Sequence, residues 1–325
     1  MKRATMLLMT AAFIGLLSIP AGAQEAFKGE WMGRFDDNKF WISLKTDSSR
    51  DDWRFGWSMD LQLEKVKGLN ITKSSEATPI HFELVRDAGT IVFDGTMRNG
   101  NGIGDYRFTP NQEYVSAMKS MGYDNLENEQ MLRLALRDVN RAYIREIRAA
   151  GYQSATVDQM IRLRNHNITS GFIAEMKNLG LDPLDVDQVV RLNNHHIDAS
   201  FIKEMKTAGY DSLSVDQLVR LRNHEIDVAY IKALGDAGYK AIAVDQIIRM
   251  RNHSVTPAFV TELKSVGYDN LPAETIIRMK QRDVSAAFIR QLAEAGHKDL
   301  STDDLIYIRD RGLEAYTTRR LRRAR

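Results

Sequence analysis

Residues 201–224 read FIKEMKTAGYDSLSVDQLVRLRNH, and this stretch decides the architecture of most of the chain. Phe201, Ile202, Met205 and Ala208 fall on one stripe at helical spacing. Gly209 can then enter the left-handed conformation and end that helix, with Tyr210 folding back on Met205. Ser214, followed three residues later by Gln217, opens a second helix with a capping box. Outward from this pair the pattern returns in both directions. Gly122, Gly151, Gly180, Gly209, Gly238, Gly267 and Gly296 stand 29 residues apart, in step with Tyr114, Tyr143, Phe172, Phe201, Tyr230, Phe259 and Phe288. Such regularity means an array rather than one globular core. It predicts seven two-helix units over residues 111–313, an α-solenoid, because helices of about ten residues are marginal alone and gain stability by stacking on their neighbours.

The caps support this division. The first helix of each unit follows Asn111, Asn140, Thr169, Asp198, Asp227, Thr256 or Ser285, whose side-chain oxygens can accept from otherwise unpaired amides of the first turn. Along the second helices, Arg133, Arg162, Arg191, Arg220, Arg249 and Arg278 each follow an acid by four residues: Glu129, Asp158, Asp187, Asp216, Asp245 and Glu274. That order favours an ion pair within the helix and places negative charge on the positive helix end. These arginines are therefore expected to face solvent, neutralised by their own acids, rather than to track a phosphate backbone.

His166, His195, His224 and His253 form a second ladder, each behind an asparagine, with Arg137, Arg282 and Arg311 in the same register. Arginine does not ligate metals, and neighbouring units lie about 9–10 Å apart by helix packing, an awkward spacing for chelation. The common requirement is a cationic or hydrogen-bonding group at a helix C-terminus, and no metal or other cofactor is expected. Arg164, Arg222, Arg251, Lys280 and Arg309 have Met160, Leu218, Ile247, Ile276 and Leu305 four residues before them instead of acids. With the four histidines they make the candidate ligand-binding surface, a positive edge along the C-terminal ends of the second helices. An acidic peptide or another polyanion is the ligand such an edge predicts, more weakly held in high salt.

Residues 24–110 read differently. Period-two stretches rich in aromatic and β-branched residues run over 31–35, 40–45, 55–62, 80–85, 90–97 and 104–108, joined by turn signals such as Asp87-Ala88-Gly89 and Asn99-Gly100. They predict a small antiparallel sandwich or partial barrel, so the fold class is α+β. All four tryptophans, Trp31, Trp41, Trp53 and Trp57, lie here, and core packing is their expected role, with a sugar-stacking platform as the other reading.

Before residue 24, Lys2 and Arg3 precede an apolar run from Met6 to Ile19, then Pro20 and Ala21-Gly22-Ala23, the layout of a cleavable secretory signal. Cleavage after Ala23 would place the protein in the periplasm or outside the cell, with residues 314–325 as a basic C-terminal cap or tail. Lys and Arg number 45 against 43 acids, which excludes a globally basic nucleic-acid binder. The absence of cysteine excludes disulfides, thiolate metal sites and a cysteine nucleophile. No His-Glu-x-x-His, Gly-x-Ser-x-Gly or phosphate-binding glycine loop occurs, so no enzymatic activity is expected.

The run from Phe201 to His224, together with Arg86-Asp87-Ala88-Gly89-Thr90 and Gly102-x-Gly104-x-x-x-Phe108-Thr109-Pro110, resembles exported bacterial proteins with a β domain and short helical repeats. Regions similar to these are attached to membrane metallopeptidases of the β-lactam-sensor type. The resemblance implies an envelope sensor or scaffold, with a peripheral association to a membrane partner, and carries over no catalytic residue. The peptidase domain with its zinc motif is missing from this sequence. The expected function is thus an exported, non-enzymatic interaction protein that binds an envelope protein or acidic ligand along the solenoid, with polysaccharide binding by the Trp-rich β domain as the alternative. The pattern leaves the oligomeric state open.

Overall fold

The structure, a computed structural model, describes residues 27–36, 39–46, 57–61, 66–71 and 74–323. The expected signal segment, Trp53 and the last two residues lie outside them. The layout is α+β, an antiparallel sheet followed by helices, and the chain divides into two compact units, one up to Arg145 and one from Glu146 on.

In the first unit, β1 (Phe27–Asp36), β2 (Lys39–Thr46), β3 (Trp57–Leu61), β4 (Val66–Lys67), β5 (Thr78–Arg86), β6 (Gly89–Arg98) and β7 (Asn101–Pro110) form one sheet in the order β3-β2-β1-β7-β6-β5-β4. All six expected strand regions are present, and β4 is an addition. The strands make a single sheet, not the two layers of a sandwich. Of the two architectures expected, the partial barrel is the one that forms, and its curvature can be read from side chains. Phe40 on β2 and Phe82 on β5 are four strands apart, about 19 Å in a flat sheet, yet their ring centroids lie 5.7 Å from one another. Trp31 on β1 meets Phe82 at 5.4 Å. The sheet must therefore curl around these rings, and Phe40, Ile42, Leu44, Phe82, Phe93 and Phe108 line its buried concave face.

Glycines make this curl possible where strands approach most closely. Gly95 and Gly104 face one another across β6 and β7, and a Cβ on Gly104 would stand 1.9 Å from the Asp94 carbonyl oxygen. The Trp31 indole covers Gly102, and its Nε1 donates to that same Asp94 oxygen at 3.0 Å.

Three helices follow, α1 (Gln112–Ser120), α2 (Asn128–Leu136) and α3 (Arg141–Ala149), the division between the units falling within α3. The β5–β6 turn holds two of them. Asp87 accepts from the Arg141 backbone amide at 2.8 Å and from the Arg141 guanidinium at 2.7–3.0 Å. The Asn111 side chain, which caps α1, donates to the Asp87 carbonyl at 3.1 Å. The buried Tyr114 hydroxyl donates to the Val139 carbonyl at 2.7 Å, and burial pushes its pKa above the usual value.

The second unit consists of α4 (Val157–Asn165), α5 (Ser170–Asn178), α6 (Val186–Asn194), α7 (Ala199–Thr207), α8 (Val215–Asn223), α9 (Val228–Asp236), α10 (Val244–Asn252), α11 (Pro257–Lys264), α12 (Ala273–Gln281), α13 (Ala286–Glu294), α14 (Thr302–Arg311) and α15 (Leu313–Arg323). Ser214 forms the expected capping box with Gln217 at the start of α8, and Thr156 with Gln159 and Asp185 with Gln188 form the same box at the starts of α4 and α6. Helix α7 ends as expected: Gly209 has a φ of +92°, its amide donates to the Lys206 carbonyl at 2.9 Å, and the Tyr210 amide donates to the Met205 carbonyl at 3.0 Å. Helices α4, α6, α8, α10 and α12 end with a left-handed residue too, but without glycine, whereas α14 ends at Gly312. Asn167, His196, Glu225, Ser254 and Asp283 take the left-handed position at φ of 51–55°.

Helices α4, α6, α8, α10, α12 and α14 touch in succession, as do α9 and α11. One continuous set of buried residues, from Met176 through Met205, Leu234 and Leu263 to Leu305, runs beneath them. In α15, Tyr316 is buried and Arg319 lies over the Tyr307 ring at 4.5 Å. Among the described residues no helix is long and apolar enough to cross a membrane.

Candidate functional site

The candidate edge is built by the last turns of the even-numbered helices. Arg164, Arg222, Arg251, Lys280 and Arg309 lie in the last turns of α4, α8, α10, α12 and α14. His166, His195, His224 and His253 occupy the C-cap positions of α4, α6, α8 and α10, and Arg282 that of α12. A cation at a helix C-terminus opposes the partial negative charge of its unpaired carbonyls, which is the role the spacing predicted.

Polar contacts join each helix end to the next. His166 Nδ1 pairs with Asn194 Oδ1 at 2.8 Å, Asn193 Nδ2 donates to the His166 carbonyl at 2.8 Å, and Arg222 donates to the His196 carbonyl at 2.7 Å. Arg251 lies 3.9 Å from Glu225, Gln281 meets His253 Nδ1 at 3.1 Å, and Arg282 reaches Asp310 at 3.5 Å. The helix ends are therefore linked in succession from α4 to α14. The row of cations along them is broken at α6, where Asn193 stands in place of a cation, and Glu225 and Asp310 add negative charge to it.

Most of these cations also have a partner beneath them. Arg222 lies over Phe201 at 4.5 Å, Arg251 over Tyr230 at 5.2 Å, Lys280 over Phe259 at 4.9 Å and Arg309 over Phe288 at 5.2 Å. Each ring comes from the preceding helix, so the aromatic ladder orients the cationic one by cation–π attraction. Arg222, Arg251 and Arg309 remain exposed, whereas Arg164, Lys280 and the four histidines are half-buried. The histidines form a series of caps and not one chelating cluster. Among the described residues no group of three or more metal-ligating side chains comes together.

The other arginine ladder pairs differently from its helical spacing. Arg162 reaches Asp187 at 2.5 Å, Arg191 reaches Asp216 at 2.7 Å, Arg220 reaches Asp245 at 2.7 Å, Arg249 reaches Glu274 at 2.6 Å and Arg278 reaches Asp303 at 2.9 Å. Each guanidinium thus reaches the acid 25 residues ahead on the next even-numbered helix, in place of the acid four residues behind. Parallel neighbours bring the end of one arginine to the first turn of the adjacent helix. The ladder is neutralised as expected, but its bonds link helices.

Tyrosines supply a second link that the spacing did not announce. Tyr152, Tyr210 and Tyr268 donate their hydroxyls to the carbonyls of Leu184, Ile242 and Leu300 at 2.9, 2.7 and 2.6 Å, and Tyr239 does the same to Leu271. Burial raises their pKa values, that of Tyr152 to about 12.

On the sheet, Trp31 is core, but Trp41 is not. Trp41 is 50% exposed on the convex face, beside exposed Met32 and Ile103. With Arg34 and Ser43 they line a shallow cleft of about 360 Å³. Trp53 lies outside the described residues, and of Trp57 only the backbone is described, paired with Leu44. On the same outer face His81 Nδ1 pairs with Asp94 Oδ1 at 2.7 Å, a hydrogen bond that raises the imidazole pKa against the opposing effect of desolvation, with the charges of Asp94 and Glu83 adding to the rise. No protein-family model matches this chain, and no curated protein matches it in sequence.

Proposed function

We propose that this chain is an exported, non-enzymatic interaction or scaffold protein of the cell envelope, periplasmic or secreted. In this reading its helices form an α-solenoid of seven 29-residue units, and a protein or acidic ligand binds along the positive edge. The observation that carries the reading is the continuous row of helix ends bearing Arg164, Arg222, Arg251, Lys280, Arg309 and the capping histidines. Three of these guanidinium groups are held over aromatic rings and still exposed, which orders them at low entropic cost for an extended anion. The resemblance to regions attached to sensor-type membrane metallopeptidases favours a sensor or scaffold role beside a membrane partner.

The test replaces Arg222, Arg251 and Lys280 together by Ser and measures binding of a labelled oligo-glutamate, with circular dichroism confirming the fold. The parent should bind more weakly as salt rises. The triple variant should bind about tenfold more weakly than the parent at low salt, since each exposed ion pair contributes about 0.2–1 kcal/mol. Equal binding by the two proteins removes the edge as the ligand site.

The Trp41 cleft favours a second reading, binding of an envelope polysaccharide by the β region. An exposed indole bordered by Met32 and Ile103 offers a flat apolar surface to a sugar ring. Titration with envelope glycans should quench or shift tryptophan emission, and Trp41→Ala should abolish that response while leaving the unfolding transition in place. An undiminished response in the variant sinks this reading.

A further inference from the structure

The position two residues beyond the stripe's last turn, immediately after the helix-ending glycine, is occupied by Tyr123, Tyr152, Leu181, Tyr210, Tyr239, Tyr268 and His297. Four of the tyrosines, Tyr152, Tyr210, Tyr239 and Tyr268, place a ring between successive helix pairs and bond a carbonyl 32 residues ahead. Leu181 breaks the series. Its counterpart carbonyl is that of Leu213, and leucine has neither the ring to span that step nor a hydroxyl to donate.

A cleft of about 590 Å³ opens at this step, within the range of about 300–1,000 Å³ typical of ligand pockets. Its lining is mixed: Leu181, Met205 and Leu213 supply apolar surface, and Asp182, Lys206 and Asp211 supply polar surface. Met205 and Leu218 are fully buried, Leu181 and Leu213 half-buried. The Lys206 ammonium beside it is engaged with the Leu179 carbonyl at 2.9 Å. The cleft lies against the start of α8, at the end of that helix remote from the positive edge.

We propose that this cleft receives a tyrosine side chain presented by a partner polypeptide, its ring between Leu181, Met205 and Leu213 and its hydroxyl donating to the Leu213 carbonyl. The chain itself supplies the template: four times it fills the equivalent space with a phenol bonded to the equivalent carbonyl. The ligand class follows from what the third unit lacks. An aliphatic ligand would give no bond to that carbonyl, whereas a phenol matches both the apolar side chains of Leu181, Met205 and Leu213 and the acceptor that the equivalent tyrosines use. The proposal uses none of the residues of the positive edge, so the failure of either leaves the other standing.

The test observes the leucine methyl resonances of the full chain during titration with N-acetyl-tyrosinamide, N-acetyl-phenylalaninamide and p-cresol. Saturable shifts of Leu181 and Leu213 are expected, with the tyrosine probe binding about fivefold more tightly than the phenylalanine probe, the value of one neutral hydrogen bond. Leu181→Tyr restores the residue found in the neighbouring units, so it should fold, raise the thermal midpoint and abolish the shifts. Leu181→Phe should block the probes with a smaller rise in midpoint, because its ring carries no hydroxyl. No saturable shift, equal affinity for the tyrosine and phenylalanine probes, tighter binding of p-cresol than of the tyrosine amide, or undiminished binding to Leu181→Tyr would each overturn the proposal.

Discussion

Gly104→Ala should destabilise the β region by about 3 kcal/mol, the upper part of the range for forcing atoms into a packed interior. The added methyl carbon would stand 1.9 Å from the Asp94 carbonyl oxygen and 2.5 Å from the Gly95 Cα. Both are backbone atoms, so no rotamer change relieves the collision. The oxygen it displaces also accepts the Trp31 indole at 3.0 Å, and Trp31 is the ring around which Phe40, Phe82 and Phe93 are arranged. Loss of close approach between β6 and β7 should therefore loosen the concave core as a whole. The four tryptophans all lie between residues 31 and 57, so tryptophan emission during urea unfolding reports on this region. The variant should unfold at lower urea with red-shifted native emission. Thr96→Ala on the exposed face of β6 serves as the control and should change stability by no more than about 0.5 kcal/mol. Unfolding of Gly104→Ala at the parent's midpoint would refute the close approach.

That example shows which parts of the molecule were legible in its sequence. Periodicity located the strands and helix pairs because it records which face of an element is buried, a property of local spacing. Capping residues located the helix starts for the same reason, as Ser214 and Asp198 illustrate. Strand register is not local. Trp31 pairs with Leu44 and Trp41 with Arg34, and only that register, with the curl of the sheet, puts one indole in the core and leaves the other exposed. The histidine ladder marked the C-termini of α4, α6, α8 and α10, but not the left-handed residue that closes each of them. Residues as unlike as Asn167, Glu225 and Ser254 take the left-handed position there, Glu225 and Ser254 against their local preference, and no glycine marks the turn.

The links between helices depend on geometry that spacing alone does not contain. An arginine with acids both four residues behind and 25 ahead has two candidate partners, and the arrangement of neighbouring helices chooses between them. The positive edge was legible as charge, but the rings of Phe201, Tyr230, Phe259 and Phe288 beneath it were read only as core. The Leu181 cleft had a signal in the sequence, one leucine in a column of tyrosines. Its meaning emerged only when the tyrosine hydroxyls were found to cross between successive helix pairs.

Asp87→Asn should cost about 2–3 kcal/mol at neutral pH, the scale of hydrogen bonds that engage a charged group. The carboxylate accepts both the Arg141 backbone amide and its guanidinium, with the two side chains only 23% and 28% exposed. An asparagine keeps one acceptor and turns an NH₂ group toward donors. Burial alone would raise the Asp87 pKa, but the side-chain and backbone hydrogen bonds from Arg141 and the charges of Arg141 and Arg145 outweigh it, so the folded-state value lies below the ordinary 3.8. A depressed acid contributes stability that is fully present above its unfolded pKa and is lost as pH falls through the folded one. The difference between parent and variant should therefore hold its full size at neutral pH and shrink as pH falls below about 4. A difference that persists unchanged into strong acid would mean that the carboxylate's charge is not its source. Because Asp87 also offers its carbonyl to Asn111, the substitution probes how one hairpin turn sets the starting points of α1 and α3. The variant should lose helical circular dichroism and tryptophan core emission together within the first compact unit, while the helices from Glu146 on retain their own transition.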